Sequence, residues 1–499
     1  MTQEIDWLAI AAPTTLALAA VLVLLVGSFA GTPRSRTAAL VPATITVVAV
    51  AVAAVPTVAS WSHPASTFCI DGSQGVEGGP APCSFVVDRF TLVFWAVVLF
   101  GTAVVALIGT VAVQDGRTPL GEWNFLLLCS ATGALTIAAS RDLVTLVVAL
   151  EVVSLPAFAM TGLRRGDPRA AEAAVKFFLV SVISTAVTLM GASLLYGATG
   201  SVFLDQIDTA LSSGGGDTRS VAVAGAMLTI VGLAFKVAAV PFHMWVPDTY
   251  VGAPVAVAAY LSVVSKAAGF VGLMLVLVGA LSSLADVWAP VVAVLAALTM
   301  TVGNVLALWQ RHAIRLLAWS SVAQAGYILV PFGAASAATG RAVGASMGYL
   351  AIYAFVNLGA FAVAAVVGTR YPAQRLADYR GLIRDEPGAG WALAFALVAL
   401  AGLPPGIIGL LAKVVVLDVT AGPATWLAVV MAVNVAIGLV YYMRWLRELF
   451  RPGLVEGASR YDVPNGVGVA IGMTFTAGLV FSVFPGVLLN PVLGALAQR

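Results

Sequence analysis

Runs of about 20 apolar residues, repeated along almost the whole chain, constrain this fold more than any other feature. A helix needs roughly 20 such residues to cross the hydrocarbon core of a bilayer. Only 10% of the 499 residues are charged, against about 25% in soluble domains. Hydropathy predicts fourteen segments, at 7–29, 37–60, 86–113, 122–139, 142–162, 170–198, 219–242, 254–280, 287–309, 312–333, 341–369, 390–417, 424–449 and 465–490. The chain is therefore predicted to be an all-α polytopic membrane protein.

The arginines of the thirteen intervening loops alternate between two sides of the membrane. One set of loops carries sixteen of them: Arg34, Arg36, Arg117, Arg164, Arg165, Arg169, Arg311, Arg315, Arg370, Arg375, Arg380, Arg384, Arg444, Arg447, Arg451 and Arg460. The other set, with the termini, carries Arg89, Arg141, Arg219, Arg341 and Arg499. Loops rich in Lys and Arg stay on the cytoplasmic side. Both termini are therefore predicted to lie outside.

The segment 235–254, FKVAAVPFHMWVPDTYVGAP, predicts a broken membrane helix. Lys236 ends an apolar run, and His243 follows among three prolines. Proline lacks the backbone donor that a helix needs and clashes with the preceding turn. Unpaired backbone at membrane depth persists only where protein or a water-filled cavity satisfies it. The segment therefore indicates an ion path, although a helix end with a snorkelling lysine is the alternative.

All four lysines of the chain fall in predicted membrane segments: Lys176, Lys236, Lys266 and Lys413. Buried lysine loses its proton readily, whereas arginine stays charged. Glu151 is the carboxylate predicted to lie deep in a segment, and a Glu151–Lys236 pair would couple two proton affinities. Ionisable residues at such depth suggest function by default. A structural ion pair or a snorkelling side chain is the alternative for any single lysine.

A second proline break, at 402–406, is again followed by a lysine. Arg141 and Arg311 open two similar helices, and Ser321 falls where Glu151 does when residues are counted from each arginine. Broken helices in corresponding positions are typical of transporters built from repeats. We therefore predict inverted five-helix repeats from segments 4–8 and 9–13. The predicted domains are 1–119 (N-terminal three-helix segment), 120–282 (first repeat), 283–450 (second repeat) and 451–499 (C-terminal helix).

Five motifs together resemble the antiporter-like membrane subunits of bacterial respiratory complex I, the proton-translocating NADH:quinone oxidoreductase. They are the segment 235–254, Glu151 followed by SLP, VKFFLVS at 175–181, SKAAGF at 265–270 and GLPPGIIGLLAK at 402–413. Within the family the chain most resembles the subunit N group, because it has fourteen segments, no long lateral C-terminal helix, and lysine as the last residue of the fifth motif.

The resemblance, which covers roughly 120–450, implies roles for individual residues. The proton-translocating set would be Glu151, Lys176, Lys236, His243, Lys266 and Lys413, with His243 connecting Lys236 to Lys266. The chain would act as an enzyme only as a subunit of the translocase. FMN, iron–sulfur clusters and quinone would belong to other subunits, and the partners would be other complex I membrane subunits and the lipid bilayer. A bacterial inner or plasma membrane is the implied location.

Two other functions remain open at this stage: a subunit of a multisubunit sodium/proton antiporter, and a scaffold with a vestigial channel. The sequence has no CxxC, no GxGxxG after a strand and no basic tract, which argues against a metal site, a redox cofactor or nucleic acid binding in this chain. Cys69 and Cys83 share one polar loop, and whether they form a disulfide is left open.

Overall fold

The computed structural model describes residues 5–29, 40–70, 82–112, 116–213, 218–334, 339–452 and 463–494. Nearly all of this is helical. The helices are α1 Trp7–Phe29, α2 Val41–Ala59, α3 Arg89–Gly109, α4 Leu120–Ala139, α5 Leu143–Gly162, α6 Pro168–Thr199, α7 Leu204–Ser212, α8 Arg219–Lys236, α9 Trp245–Gly252, α10 Val255–Ala280, α11 Ala285–Leu308, α12 Ala313–Gly333, α13 Thr339–Arg370, α14 Leu382–Asp385, α15 Pro387–Ala401, α16 Ile407–Thr420, α17 Thr425–Phe450, α18 Asn465–Val483 and α19 Gly486–Gly494.

Thirteen helices within the described residues are long and apolar enough to cross a membrane. They correspond to thirteen of the fourteen predicted segments. The remaining segment, 390–417, consists of two shorter helices, α15 and α16, which meet at the predicted proline break. Gly402 ends α15 with a φ of 83°, a conformation that glycine adopts without steric penalty. The two predicted breaks are therefore both present.

Within the described residues, a short hairpin before α3 forms a two-stranded sheet. Strand β1 (Ala65–Cys69) pairs antiparallel with strand β2 (Cys83–Val87), and the Cys69–Cys83 pair is joined by a disulfide bond. The Arg141 N–H donates to the Ser84 carbonyl at 2.9 Å. The hairpin therefore packs at the end of the bundle where α4 meets α5.

The two halves of the bundle share a backbone arrangement around the arginines that open α5 and α12. In the first half, the Leu204 N–H donates to the Arg141 carbonyl at 3.0 Å; in the second, the Leu376 N–H donates to the Arg311 carbonyl at 2.9 Å. Each bond ties the start of one helix to the segment after the next long helix. The likeness agrees with internal repeats, and the inverted arrangement and the domain boundaries stay predictions.

The helix that follows the second of these arginines is capped by a histidine. The His312 Nδ1 accepts a hydrogen bond from the Arg315 backbone N–H at 3.4 Å. Burial lowers the pKa of His312 below its usual value of 6.5, and the Arg315 charge lowers it further. The ring is therefore neutral at pH 7, the state in which one nitrogen can accept. The helix thus begins directly after His312, in agreement with the predicted segment 312–333.

Candidate functional site

Glu151 and Lys236 form the predicted pair between α5 and the end of α8. The Lys236 Nζ lies 3.4 Å from the Glu151 Oε1. It also donates to the Ser154 Oγ at 2.8 Å and to the Ser181 Oγ at 2.9 Å, while the Thr185 hydroxyl donates to the Glu151 Oε1 at 2.6 Å. The hydroxyl contacts of the lysine are shorter than its ionic contact. Lys236 is therefore held by neutral groups as well as by the glutamate.

The helix break directly follows Lys236. Ala238 has a φ of 63°, which is strained for a residue with a Cβ. Val240 lies beyond the end of α8, so its N–H has no acceptor within that helix. It donates instead to the Thr299 Oγ1 of α11 at 2.9 Å. A Cβ at Gly269 of α10 would lie 3.0 Å from Lys236 backbone and Cβ atoms, so α10 approaches the break closely because this residue has no side chain.

Lys266 lies one turn before that glycine and is only 2% exposed. Its Nζ donates to both the backbone carbonyl and the Oγ of Ser321 in α12, each at 2.6 Å. A π-helical turn, Leu261–Ser265, immediately precedes it, and such turns are frequent at functional sites. Ser321, which takes the place of Glu151 in the second half, is thus the hydrogen-bond partner of Lys266.

Lys413 of α16 is 5% exposed, and the carbonyls at the end of α15 hold its charge. Its Nζ donates to the Leu400 carbonyl at 2.8 Å and to the Ala401 carbonyl at 2.7 Å. The last carbonyls of a helix lack intrahelical partners and carry the negative end of the helix dipole. The second break therefore provides acceptors for a buried cation.

Polar side chains that the sequence reasoning missed lie between these two lysines. The Tyr353 hydroxyl donates to the Ser321 Oγ at 2.9 Å, and the Tyr349 hydroxyl donates to the Gln324 Oε1 at 2.6 Å. Tyr349, Tyr353 and Gln324 also line a cavity of about 10 Å³ beside Lys413, which is about the room that one water requires. Tyr349 and Tyr353 are four residues apart, so a polar stripe along α13 was the available signal.

Lys176 does not share this environment, and the prediction that all four lysines are buried is wrong for it. Its side chain is 49% exposed and lies 2.7 Å from Glu172 and 3.6 Å from Asp248. Asp248 in turn lies 3.6 Å from Arg315. Lys176 is near the start of α6, on its exposed face, where it reaches Asp248 of α9. Hydropathy places a residue along a helix, but it does not identify the face that packs.

His243 lies in the break, but its described contacts do not join the two lysines. Its ring packs beside the Trp319 ring with centroids 5.4 Å apart. Its Nδ1 is buried and has no hydrogen-bond partner among the described residues. The connecting role expected for this histidine therefore stays a prediction. Instead, Gly269, which lies one turn after Lys266, packs directly against Lys236. The surroundings of the two lysines are therefore adjacent.

The fold and the site define a class: a polytopic membrane protein with two broken helices, each accompanied by a buried lysine. Residues 140–438 match the family described as NADH:quinone oxidoreductase/Mrp antiporter, transmembrane. NADH-quinone oxidoreductase subunit N 2 of Streptomyces griseus is 51% identical over 98% of this chain and 94% of its own length. The chain belongs to the NADH:quinone oxidoreductase/Mrp antiporter family.

Two solved structures have similar folds. A chain of respiratory complex I from Thermus thermophilus matches with a TM-score of 0.72 and 29% identity, covering 96% of this chain and 98% of that chain. A chain of the Mrp complex from Dietzia matches with a TM-score of 0.81 and 20% identity, covering 97% of each. The Mrp likeness shows the fold alone.

Proposed function

We propose that this chain is a proton-translocating membrane subunit of a bacterial NADH:quinone oxidoreductase. The observation that carries the proposal is the series of three lysines at the two helix breaks and between them: Lys236, Lys266 and Lys413. Each has hydrogen-bond acceptors that remain adequate when the lysine is neutral, because they are hydroxyls or carbonyls. These acceptors keep both the amine and the ammonium form of each lysine hydrogen-bonded, which lowers the cost of gaining or losing a proton in a buried place. Relatives that carry the name of this oxidoreductase support the assignment.

The Glu151–Lys236 pair is the proposed point at which other subunits act. Glu151 is 26% exposed in this chain, and its neighbours Val148, Val152 and Leu155 on α5 are exposed apolar residues. Another membrane subunit packed on this face would place its charges near Glu151. A change of charge there weakens the 3.4 Å contact and leaves Lys236 with its two serine hydroxyls. The lysine then repels a proton on Lys266.

The proton on Lys266 moves next toward Lys413. Ser321 contacts Lys266 directly, and Tyr353 contacts Ser321. One water in the small cavity would connect Tyr353 and Gln324 with Lys413. Hydroxyl groups both donate and accept. The transfer therefore requires both hydroxyls to rotate, so that Ser321 takes a proton from Lys266 and gives its own to Tyr353, and Tyr353 gives its own to the water. A membrane potential of ~100 mV opposes the movement of each charge by about 2.3 kcal/mol, and a differential bias of ~5.5 kcal/mol reverses a two-state gate.

The redox chemistry belongs to other subunits in this proposal. FMN, iron–sulfur clusters and quinone would be held there, and this chain would contribute the proton path. Protons would enter at the end of the bundle that carries most arginines, which faces the cytoplasm under the positive-inside rule. Both termini would face outside a bacterial cell membrane.

The first test is to isolate the chain with its partners. A tagged copy is purified from gently solubilised membranes, the accompanying chains are identified, and NADH:quinone activity is measured. Recovery with flavin and iron–sulfur subunits and with quinone reduction is the expected result. Recovery with small membrane chains alone, and without redox activity, would assign the chain to a sodium/proton antiporter instead. Sodium-dependent proton movement would then be measured.

A further inference from the structure

Asn357 is a fully buried amide in α13, and one of its polar atoms has no partner among the described residues. Its Nδ2 donates to the Ser262 Oγ of α10 at 2.8 Å, and the Ser262 hydroxyl donates to the Ala259 carbonyl at 2.8 Å. Because the Ser262 hydrogen is engaged, its oxygen has to accept from the amide nitrogen, which fixes the orientation of the amide. The atom without a partner is therefore the buried Oδ1. Such an acceptor lowers stability, so packing alone does not explain it.

A ring of contacts brings Asn357 to the surroundings of Lys266. The Tyr353 hydroxyl, which donates to the Ser321 Oγ at 2.9 Å, also lies close to Ser262. Ser321 in turn accepts from Lys266. Asn357 follows Tyr353 by four residues on α13, and Ser262 precedes Lys266 by four residues on α10, so each pair occupies neighbouring positions on one helix face. Asn357 and Lys266 therefore lie around the same space between α10, α12 and α13.

Within this ring, Asn357 is on the side of Lys266 nearer the end of the bundle that carries most arginines. Val255 at the start of α10 and Thr369 at the end of α13 line one cavity at that end. Asn357 is nearer that end of α13 than Tyr353. Helical side chains point back toward the start of their helix, so the Lys266 side chain can lie toward this region as well as reach Ser321. The unpaired oxygen is therefore an acceptor on the side from which protons arrive in the proposed function.

We propose that Asn357 is a positioning residue for proton loading, because its Oδ1 holds the Lys266 amine at a second position on the entry side. This inference rests on the proposed function and adds a step to it. In the described position the Lys266 Nζ donates to Ser321, from which the proton continues toward Lys413. At the second position the neutral amine takes a proton from a hydronium ion, which leaves as water. The ammonium group then swings to Ser321.

The chemistry of an amide suits this step. Its oxygen accepts hydrogen bonds from an amine and from an ammonium group, and because it carries no charge it holds the ammonium less firmly than a carboxylate would. Lysine has a flexible four-carbon stem, so its Nζ moves between two acceptors without a change in the backbone. Asn357 and Ser321 are thus two neutral acceptors, one toward the entry and one toward the exit, and neither retains the proton permanently.

The experiment measures NADH-driven proton uptake by inverted vesicles that contain the whole assembly, with each rate divided by the amount of assembled complex. Asn357→Leu removes the amide at nearly constant volume and is expected to slow uptake about tenfold, the factor that corresponds to one hydrogen bond to a charged group. The matched control is Asn124→Leu. It removes another fully buried amide, whose Oδ1 accepts from the Thr46 hydroxyl at 2.9 Å between α2 and α4, and it is expected to leave the rate unchanged.

Two further variants separate proton loading from a structural role. Ser262→Ala removes the bond that the Asn357 Nδ2 makes but leaves the Oδ1 in place, and it is expected to slow uptake by no more than about threefold. Asn357→Ala removes the amide without bulk, is expected to match the loss in Asn357→Leu, and serves if the latter does not assemble. The ratio of the rates in H₂O and D₂O is expected to rise in the Asn357 variants, because the loading transfer becomes rate-limiting.

The outcomes distinguish this step from the function on which it rests. Normal uptake by an assembled Asn357→Leu or Asn357→Ala complex would overturn the loading role and leave the proposed function intact. Equal losses in the Asn357 variants and Ser262→Ala, with an unchanged isotope ratio, would assign Asn357 a structural role and overturn the loading role as well. Absence of NADH-driven uptake with the unsubstituted chain would overturn the proposed function and this step together.

Discussion

At the scale of single residues, the exposed fraction of the side chain distinguishes Lys236, at the helix break, from Lys176, on the surface. Lys236 is 10% exposed and contacts a glutamate and two serines, whereas the Lys176 side chain is 49% exposed and pairs with exposed carboxylates. A buried lysine is a proton carrier only if its surroundings support both charge states. An exposed ion pair contributes little, typically 0–1 kcal/mol. The same residue type therefore has two expected roles.

This difference gives a matched pair of variants. Lys236→Ala is expected to lower NADH-driven proton uptake into inverted vesicles and quinone reduction by roughly tenfold or more, equivalent to about 1.4 kcal/mol in the barrier for each factor of ten. Lys176→Ala, the same substitution on the neighbouring helix, is expected to change both by less than about twofold. Normal pumping by a correctly assembled Lys236→Ala complex would rule out the role of this lysine.

The hydroxyl chain between Lys266 and Lys413 makes a separate prediction. Tyr353→Phe removes one hydrogen bond to Ser321 and is expected to slow proton uptake about fivefold, since one hydrogen bond contributes about 1 kcal/mol. Tyr379→Phe is the control, because that buried hydroxyl donates at 2.6 Å to Gln374, outside the path. Proton uptake and assembly are measured for both. Equal rates for the two variants would exclude Tyr353 from the path.

At the scale of elements, close packing at the second break depends on a glycine. A Cβ at Gly409 would lie 1.8 Å from the Ala399 carbonyl oxygen, whereas a Cβ at Gly388 would meet nothing within 4 Å. Gly409→Ala is therefore expected to displace α16 from α15 and lower stability by about 1–3 kcal/mol or more. Gly388→Ala is expected to be neutral. Thermal unfolding of the purified assemblies compares them, and equal midpoints would contradict the packing argument.

The elements themselves were largely predictable, and the contacts around them were not. The predicted segment 142–162 corresponds to helix α5, and the segment 254–280 corresponds to α10. Hydropathy over 20 residues averages out local errors, which is why such segments are identified well. The partners of Lys266 could not be obtained in this way. Ser321 is 55 positions away, and the contact depends on how α10 and α12 are rotated about their axes.

At the scale of the whole molecule, an ion pair joins the N-terminal three-helix segment to the rest of the bundle. Arg141, which is mostly buried, lies 3.0 Å from Asp88 and donates to the Ala138 and Ser140 carbonyls. Asp88 also caps α3 by accepting from the Thr91 N–H at 3.0 Å. One carboxylate therefore stabilises a helix start and compensates a buried charge from another part of the chain.

Removal of the Asp88 carboxylate is predicted to destabilise the molecule. Asp88→Ala is expected to lower the free energy of unfolding by about 2–4 kcal/mol, because it leaves a buried cation without compensation and removes a helix cap. The control is Asp418→Ala, which breaks an exposed pair with Arg341 at 2.9 Å and is expected to change stability by less than about 1 kcal/mol. Loss of folded protein on heating is followed for both, and equal losses would contradict the prediction.

The sequence by itself determined the class of protein, the number of apolar segments, the two helix breaks and the pairing of Glu151 with Lys236. These follow from composition, proline chemistry and the scarcity of charge at membrane depth. Only the tertiary structure decided that Lys176 lies on the surface and that Ser321 and the α13 tyrosines lie beside the buried lysines. The physical reason is that burial belongs to one face of a helix, and packing against distant segments selects that face.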